Sequence, residues 1–447
     1  MPAETGSSRT NPTLRWRTIE YRLLGLLLAE KAWHFYRHYR IETGYDSYWH
    51  LEIVQKTGWL HQPGLTELFY SYHPILGFLL AKTLTLVGCT PLTSVQIVSF
   101  GSSLAAFLFL RATFRRLGLF RGPKGIAALY LTSALPIQVH LSTSVNLDVI
   151  VLALASAVLY FSVRFFWRYK SDSSTPRRKT VWLSLALVLC LSAAFLTKFS
   201  GLVLLALPVI IALAAPCGFS VRRILTAGAI CAAALTLAFP YYYFRYYRAE
   251  GTFIAHNSDL FIRDRVDGFR RDRDRHRAEF VHDLFTKGRV HQVYGPTRHD
   301  LGRIRLYDAW RDFWMEDELV GEMIPRAKII SRYYLRGAFW AMLAGVLLFL
   351  IRVRRRSNWQ RFGFVVIGFA FAECAALLDF VYGHPLAFWA PAKGIYVSPV
   401  GWAIGYLAAT AFFWPMFFRG RCGPALRAAF ALALAAFVVL NHTLPIY

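Results

Sequence analysis

The chain has 447 residues, of which 56% are hydrophobic and 16% aromatic, and its mean hydropathy is +0.37. This composition is too apolar for a soluble protein of this size and predicts a chain that crosses the membrane many times. The net charge of +25 does not indicate a nucleic-acid partner, because Arg and Lys cluster in short connectors between apolar segments, as the positive-inside rule predicts. The six cysteines show neither a disulfide framework nor metal-ligand spacing.

Apolar segments recur along the whole chain, at residues 18–38, 74–88, 93–113, 124–142, 147–167, 181–197, 199–215, 223–244, 335–352, 361–382, 398–418 and 424–441. If all of them crossed the bilayer, the basic connectors from Arg111 onward would lie on the side opposite the N-terminal arginines. Leaving out one segment before Arg111 places every basic connector in the cytoplasm. The weakest candidate is 74–88, which is short, follows His73 and contains Lys82. We therefore predict about eleven spans, the first uncleaved, and a half-buried or surface-lying helix at 74–88.

This topology predicts an all-α, multi-span membrane protein in three parts. Residues 1–244 form an N-terminal transmembrane module, 245–332 a large loop, and 333–447 a C-terminal transmembrane module. The large loop lies on the outer (extracytoplasmic or lumenal) side. A first outer loop at 39–92 carries the candidate catalytic residues.

That first outer loop contains Asp46, His50 and Glu52 beside aromatic residues. Asp46 precedes a helical pattern, and the i,i+4 spacing places Asp46 and His50 on one helix face. Asp46 could simply cap the helix. It could instead be a general base, with His50 or Glu52 tuning or positioning it. The three residues could also hold a divalent cation, although their spacing is not diagnostic of metal.

Two further motifs lie at predicted outer ends of spans. Asn146-Leu147-Asp148 opens a span, so Asp148 is either a cap favoured by the helix dipole or a second active-site acid. Thr197-Lys198-Phe199-Ser200-Gly201 interrupts an apolar run. Lys198 either snorkels to the interface or binds a lipid-linked phosphate as a compact positive charge.

The C-terminal half adds two weaker signals on the outer side. Lys393, in the stretch 391–399, is a second isolated outer lysine. The segment 307–314 alternates aromatic and charged residues, including Asp308, Trp310 and Asp312. Aromatic residues at this depth belong to the interfacial belt, or with the interleaved acids they form a wall of a sugar site.

Taken in order, these stretches resemble the GT-C superfamily of membrane glycosyltransferases, and the most similar branch is the protein O-mannosyltransferase and aminoarabinose-transferase-like group. The matching stretches are Tyr45-Asp46-Ser47 with His50, Tyr72-His73-Pro74-Ile75-Leu76, Asn146-Leu147-Asp148, Leu196 to Gly201, Trp310 to Trp314 and Lys393 to Pro399. They span most of the chain. The chain departs from the family pattern at Ile75, where the family has a second proline, and at Ser47, where it has a second acid.

The resemblance implies inverting transfer of a sugar, mannose or another hexose or pentose, from a polyprenyl- or dolichyl-phosphate donor to a protein, lipid or glycan acceptor on the outer face. Asp46 would take the acceptor proton, assisted by His50, and Asp148 would orient hydroxyl groups. The donor would be bound by Lys198, Lys393, Arg332 and His73. The sugar or acceptor would contact Glu52, Asn146, Asp308, Trp310 and Asp312. A bacterial inner membrane is favoured over the endoplasmic reticulum membrane.

Two other classes stay open from the sequence. A transporter or lipid flippase would use intramembrane charges along a substrate pathway, but the sequence shows no repeat and its ionisable residues gather towards one face. A non-catalytic relative acting as an assembly subunit is the third reading.

Overall fold

The computed structural model describes residues 12–43, 47–58, 62–65, 67–68, 72–167, 177–216, 218–254, 282, 339–351, 357–383, 397–413 and 432. Within these ranges the regular structure is helical and no strand occurs. The predicted all-α fold class is confirmed.

Thirteen helices are numbered here along the described part of the chain. They are α1 (Pro12–His38), α2 (Ser47–Lys56), α3 (Leu76–Thr85), α4 (Pro91–Arg116), α5 (Pro123–Ser133), α6 (Pro136–His140), α7 (Asp148–Phe166), α8 (Arg177–Phe195), α9 (Ala206–Ala214), α10 (Val221–Tyr242), α11 (Phe339–Ile351), α12 (Asn358–Gly383) and α13 (Val400–Phe412). Short 3-10 segments precede α5 and α9, and a π-helical turn extends α10.

Five of the described helices are long and apolar enough to cross a membrane: α4, α7, α8, α10 with its extension, and α12. Shorter apolar helices lie at Leu76–Thr85, Phe199–Ala214, Phe339–Ile351 and Val400–Phe412. The chain is thus a multi-pass membrane protein. The helix predicted as the first span forms as α1, but it is not among these five because charged residues, including Glu20, Glu30 and Lys31, interrupt its apolar character. The total of about eleven spans stays a prediction.

A proline lies at the start of one predicted segment, and another proline interrupts a second segment. Pro91 occupies the first turn of α4, where its missing N–H costs nothing, and the side chain of Thr90 caps that turn by accepting from the N–H of Thr93. The segment predicted as one apolar stretch at 124–142 is instead two helices, α5 and α6. Leu135 is extended (ψ 134°) because the residue before Pro136 avoids the helical region.

Helix α7 is the centre of the bundle. About two-thirds (67%) of its apolar stretch is buried, and the helix packs against α4, α8 and α9. A helix buried on most sides is apolar all round, and α7 carries only Asp148 and Arg164 as charged residues, one in each terminal turn.

Helices from the two predicted transmembrane modules pack together. Helix α13 lies on α5, and α12 contacts α9. The α5–α13 approach depends on Gly405, because Thr132 Oγ1 occupies the space that a Cβ would need. Small residues allow such close approach of membrane helices. The division at residues 244 and 333 itself stays a prediction.

The two ends of the bundle differ in chemistry. At one end, buried Glu20 of α1 accepts hydrogen bonds from Arg111 and Arg115 of α4, each at 2.9 Å. At the other end, the side-chain amide of Gln96 in α4 donates to the carbonyls of His38 and Ile41. The positive-inside rule predicts that the arginine-bearing end is cytoplasmic and the opposite end is on the outer side.

Helix α3 is the segment that the predicted topology leaves out of the spans. Its ten residues rise about 15 Å, half of the roughly 30 Å hydrocarbon core, so it cannot cross alone. This length supports the prediction made for 74–88. Lys82 does not face lipid: its ammonium donates to the carbonyls of Val54 and Gln55 at the end of α2, as cations at helix C-termini do.

We expect single cysteines at Glu67 and Val87, which flank α3 and are exposed, to react with an impermeant maleimide from the outer side. The reason is that a helix this short returns the chain to the face it left. Labelling is done in a variant without native cysteines, and Arg116→Cys is the cytoplasmic control. Reaction of the two flanking positions from opposite sides would contradict the topology.

Candidate active site

Lys198 lies in the tight turn that follows α8. Helix α8 ends at Phe195, and the N–H groups of Thr197 and Lys198 both donate to the carbonyl of Ala194 at 3.1 Å. Lys198 is extended (φ −160°, ψ 148°) and starts a 3-10 segment. A Cβ on Gly201 would overlap the Ala194 carbonyl. A glycine at this position therefore lets the chain fold back on itself and keeps Lys198 at the turn.

Lys198 forms a buried ion pair with Asp148. Its Nζ lies 2.8 Å from Asp148 Oδ1 and 2.7 Å from Oδ2, and the two residues are 9% and 2% exposed. Each charge would be costly to bury alone, and each relieves the other. The two residues are separated by 50 positions in sequence, so the fold brings two of the predicted motifs together.

Asn146 binds the first backbone N–H group of the central helix, just before the N-cap residue Leu147. Its side-chain oxygen accepts from the N–H of Asp148 at 2.7 Å, which satisfies one of the donors that a helix N-terminus leaves open. Next to it, the N–H of Val145 donates to the carbonyl of Thr43 at 2.9 Å. The capping that the sequence offered for Asp148 thus involves the Asn146 side chain, while both Asp148 carboxylate oxygens face Lys198.

The two histidines of the predicted site lie side by side. His50 of α2 and His73 are both 6% exposed, and their rings stack with centroids 6.1 Å apart and planes at 19°. His50 also contacts Phe78 of α3. A small cavity between α2, α3, α4 and α7 is lined by His50 and Asn146, among apolar side chains. The first outer loop and the start of α7 therefore share one pocket.

The segment after His73 is bonded to the lysine-bearing turn. The N–H of Leu76 donates to the carbonyl of Leu196 at 2.8 Å. The next residue, Gly77, lies so close to the start of α7 that a Cβ would be 2.6 Å from the Leu147 side chain and 3.3 Å from the Thr197 side chain. Glycine permits this approach. Four predicted motifs thus meet at one end of the bundle: the His50 helix, the His73 segment, Asn146–Asp148 and the Lys198 turn.

Tyrosines at the end of α10 hold these segments, and the sequence analysis missed them. Tyr242 donates to the carbonyl of Phe195 at 2.6 Å, and Tyr246 to the carbonyl of Tyr72 at 2.8 Å. The ring of Phe199 contacts both tyrosines. The available signal was the aromatic run 241–247, because the hydroxyl of a buried tyrosine usually needs a hydrogen-bond partner.

Glu52 is a predicted site residue that does not join the other described site residues. It forms an i,i+4 ion pair with Lys56 at 3.0 Å. The buried face of α2 carries His50, Ile53 and Val54 instead. Glu52 therefore lies on the more exposed side of the helix, and its predicted contact with sugar or acceptor stays a proposal.

A buried acid that the sequence analysis did not single out is Glu373, in the middle of α12. It is 3% exposed, and its helix packs against α9 and against the 3-10 segment that follows Lys198. The signal was present in the sequence: an acid within an apolar span is a functional candidate by default, because it is costly in lipid.

Six predicted site residues lie outside the described residues: Asp46, Asp308, Trp310, Asp312, Arg332 and Lys393. The neighbours of Asp46 are described on both sides, and the hydroxyl of Ser47 donates to Glu42 at 2.6 Å. Within the described part of the chain, no three His, Cys, Asp or Glu side chains are grouped to hold a metal ion.

We predict that Lys198→Met lowers the free energy of unfolding by about 3–5 kcal/mol, because it removes the ammonium that both oxygens of the buried Asp148 contact. Adding Asp148→Asn should restore much of that loss. Lys56→Met is the matched control, since its exposed pair with Glu52 is worth at most about 1 kcal/mol. The measurement is unfolding in detergent micelles. Equal losses for Lys198→Met and Lys56→Met would show that the buried pair has no such role.

No protein-family model and no curated protein matches the sequence, but solved structures share its fold. ArnT from Cupriavidus metallidurans bound to undecaprenyl phosphate has a TM-score of 0.51 at 14% identity, over 95% of this chain and 72% of that chain. The oligosaccharyltransferase of Archaeoglobus fulgidus in the apo form has a TM-score of 0.54 at 11% identity. AglB from the same organism, in complex with an inhibitory peptide and a dolichol-phosphate, has 0.52 at 12%.

Both archaeal matches cover 95% of this chain and 55% of the other, so this chain spans about half the length of those proteins. At such low identity the likeness establishes architecture. The chain shares the multi-span helical fold of these structures, which agrees with the fold class predicted from its sequence.

Proposed function

We propose that this protein is a membrane glycosyltransferase that moves a sugar from a polyprenyl- or dolichyl-phosphate donor to an acceptor on the outer face, with inversion at the anomeric carbon. The fold supports the proposal, since structures of the same fold were solved with undecaprenyl phosphate and with dolichol-phosphate bound. A bacterial inner membrane is the proposed location.

The observation that carries the proposal is the buried cation held where four motifs meet. A lysine ammonium has three N–H donors, and two of those of Lys198 are directed at Asp148. A phosphate that approaches this end of the bundle meets a fixed positive charge in a water-poor setting, where electrostatic interactions are strong. Lys198 would thus stabilise the phosphate as it leaves. Asp148 would hold Lys198 in place rather than act as the acid that orients hydroxyl groups.

The chemical step needs a base, and Asp46 is our candidate. The acceptor oxygen or nitrogen attacks the anomeric carbon and forms the new glycosidic bond. The bond from that carbon to the phosphate oxygen breaks, and the phosphate leaves with the electron pair. The acceptor proton passes to the Asp46 carboxylate. General bases of this kind contribute roughly 10²–10⁴-fold to the rate.

His50 and His73 are assigned by where they lie, and the remaining residues by the resemblance of their motifs to the family pattern. His50 would line the pocket beside Asn146, and His73 would support the His50 ring by stacking on it. Lys393 and Arg332 would add positive charge near the phosphate. Asp308, Trp310 and Asp312 would contact the sugar or acceptor, a protein, lipid or glycan.

The function is tested by offering polyprenyl-phosphate mannose, glucose and arabinose to membranes that contain the protein and following label from the sugar into acceptors. We expect transfer from at least one donor. Absence of transfer from every donor, with no binding of polyprenyl phosphate to the purified protein, would contradict the proposal.

In the same assay, Asp46→Asn should lower transfer by about 10²–10⁴-fold, because Asn cannot accept the proton. Stability should change little, since Asn is as good a helix cap as Asp. If Asp46 is only a cap, Asp46→Ala should cost about 1 kcal/mol and Asp46→Asn should be almost silent. A nearly normal rate for Asp46→Asn would overturn the assignment of the base.

A further inference from the structure

A polar cavity lies inside the bundle, apart from the candidate active site. It is enclosed by α1, α4, α5, α6, α7 and α13, is partly open, and has about 280 Å³ of empty space. Its polar lining consists of Lys31, Ser103, Thr132, Ser133, Gln138 and Ser156. Along α7 the cavity begins at Leu152, one helical turn or about 6 Å from Asp148. Neither Asp148 nor Lys198 is among the described residues that line it.

Lys31 of α1 is the charged residue among the described residues of this lining. It is 3% exposed, and its Nζ donates a hydrogen bond to Ser103 Oγ of α4 at 2.9 Å. A lysine ammonium has three N–H donors, so two are left for an occupant of the cavity. Glu30 interacts electrostatically with Lys31, but consecutive helix residues do not face each other, and Glu30 is not among the described lining residues.

Backbone groups fix the wall of the cavity opposite Lys31. The side-chain amide of Gln138 donates to the carbonyl of Ser398 at 3.0 Å, and the hydroxyl of Thr132 donates to the carbonyl of Gly401 at 3.4 Å. Both bonds join the α5–α6 region to the start of α13. The polar groups of the cavity are therefore held in place by contacts between the two ends of the chain.

We propose that this cavity binds a phosphate group, either free in solution or at the head of a lipid, through the ammonium of Lys31. A buried cation is costly unless an anion or polar groups compensate it, and a neutral hydroxyl at Ser103 compensates it less than an anion would. Phosphate presents several acceptor oxygens, and lysine commonly binds it as a compact positive charge. The hydroxyl of Ser133 lines the same cavity and adds a donor.

The size of the cavity favours a small ligand. A water molecule takes about 30 Å³, and sites for drug-sized ligands begin at about 300 Å³. The 280 Å³ of empty space therefore suits a phosphate group with a few waters better than a complete lipid-linked sugar. The inference does not depend on the role proposed for Lys198, which lies outside the cavity.

The test measures equilibrium binding to the purified protein in micelles, separately for radiolabelled inorganic phosphate and for undecaprenyl phosphate, at a constant chloride concentration. Wild type should bind at least one of them saturably at a site that Lys31→Met weakens by about tenfold or more, because a charge-assisted hydrogen bond is lost. Lys31→Arg should keep part of the affinity, since it keeps the charge. Ser133→Ala, which leaves the ammonium in place, should weaken the same site by about two- to tenfold.

Lys82→Met is the matched control, since Lys82 donates to backbone carbonyls outside the cavity and its loss should leave binding at this site unchanged. A Lys31-dependent site for inorganic phosphate would identify a free ion, and one for undecaprenyl phosphate alone would identify a lipid headgroup. Unchanged binding of both ligands in Lys31→Met and Ser133→Ala would overturn the inference and leave water as the occupant. Equal losses in Lys31→Met and Lys82→Met would overturn it as well.

Discussion

A lysine and an aspartate buried at the end of a membrane helix constrain everything around them. Neither Lys198 nor Asp148 could be sealed from water alone without a large loss of solvation, so the two segments that carry them must stay together. That requirement joins the start of α7, the most buried span, to the turn after α8. The ion pair thus holds the two segments together, and we propose that its ammonium group, Lys198 Nζ, receives the donor phosphate.

Hydrogen bonds and close contacts to backbone groups hold the turn that carries Lys198 in place. The turn at Gly201 lies against the Ala194 carbonyl, the Leu76 N–H is bonded to Leu196, and Tyr242 is bonded to Phe195. These contacts use backbone groups of the lysine turn and leave side chains for chemistry. A site held in this way is preorganised, so little conformational change is needed when a ligand arrives.

Sequence reasoning predicted the individual helices and motifs better than the contacts between them. Hydropathy predicted α7 and α8 because each is a long apolar run, and charge placement identified α3 as too weak to span. It missed the break at Pro136, where a local rule outweighs hydropathy. Asp148 and Lys198 were each proposed as site residues, but a contact across 50 positions leaves no trace in a single sequence. Glu373 was not singled out because it belongs to no motif and is visible in the sequence only as one acid in an apolar helix.

The most direct measurement of the central claim is an experimental structure of the protein with undecaprenyl phosphate bound. We expect a phosphate oxygen within hydrogen-bond distance of Lys198 Nζ, about 2.7–3.2 Å, at the end of the bundle where α7 begins. A phosphate bound elsewhere, with Lys198 still paired through both oxygens of Asp148, would contradict the proposed role of Lys198.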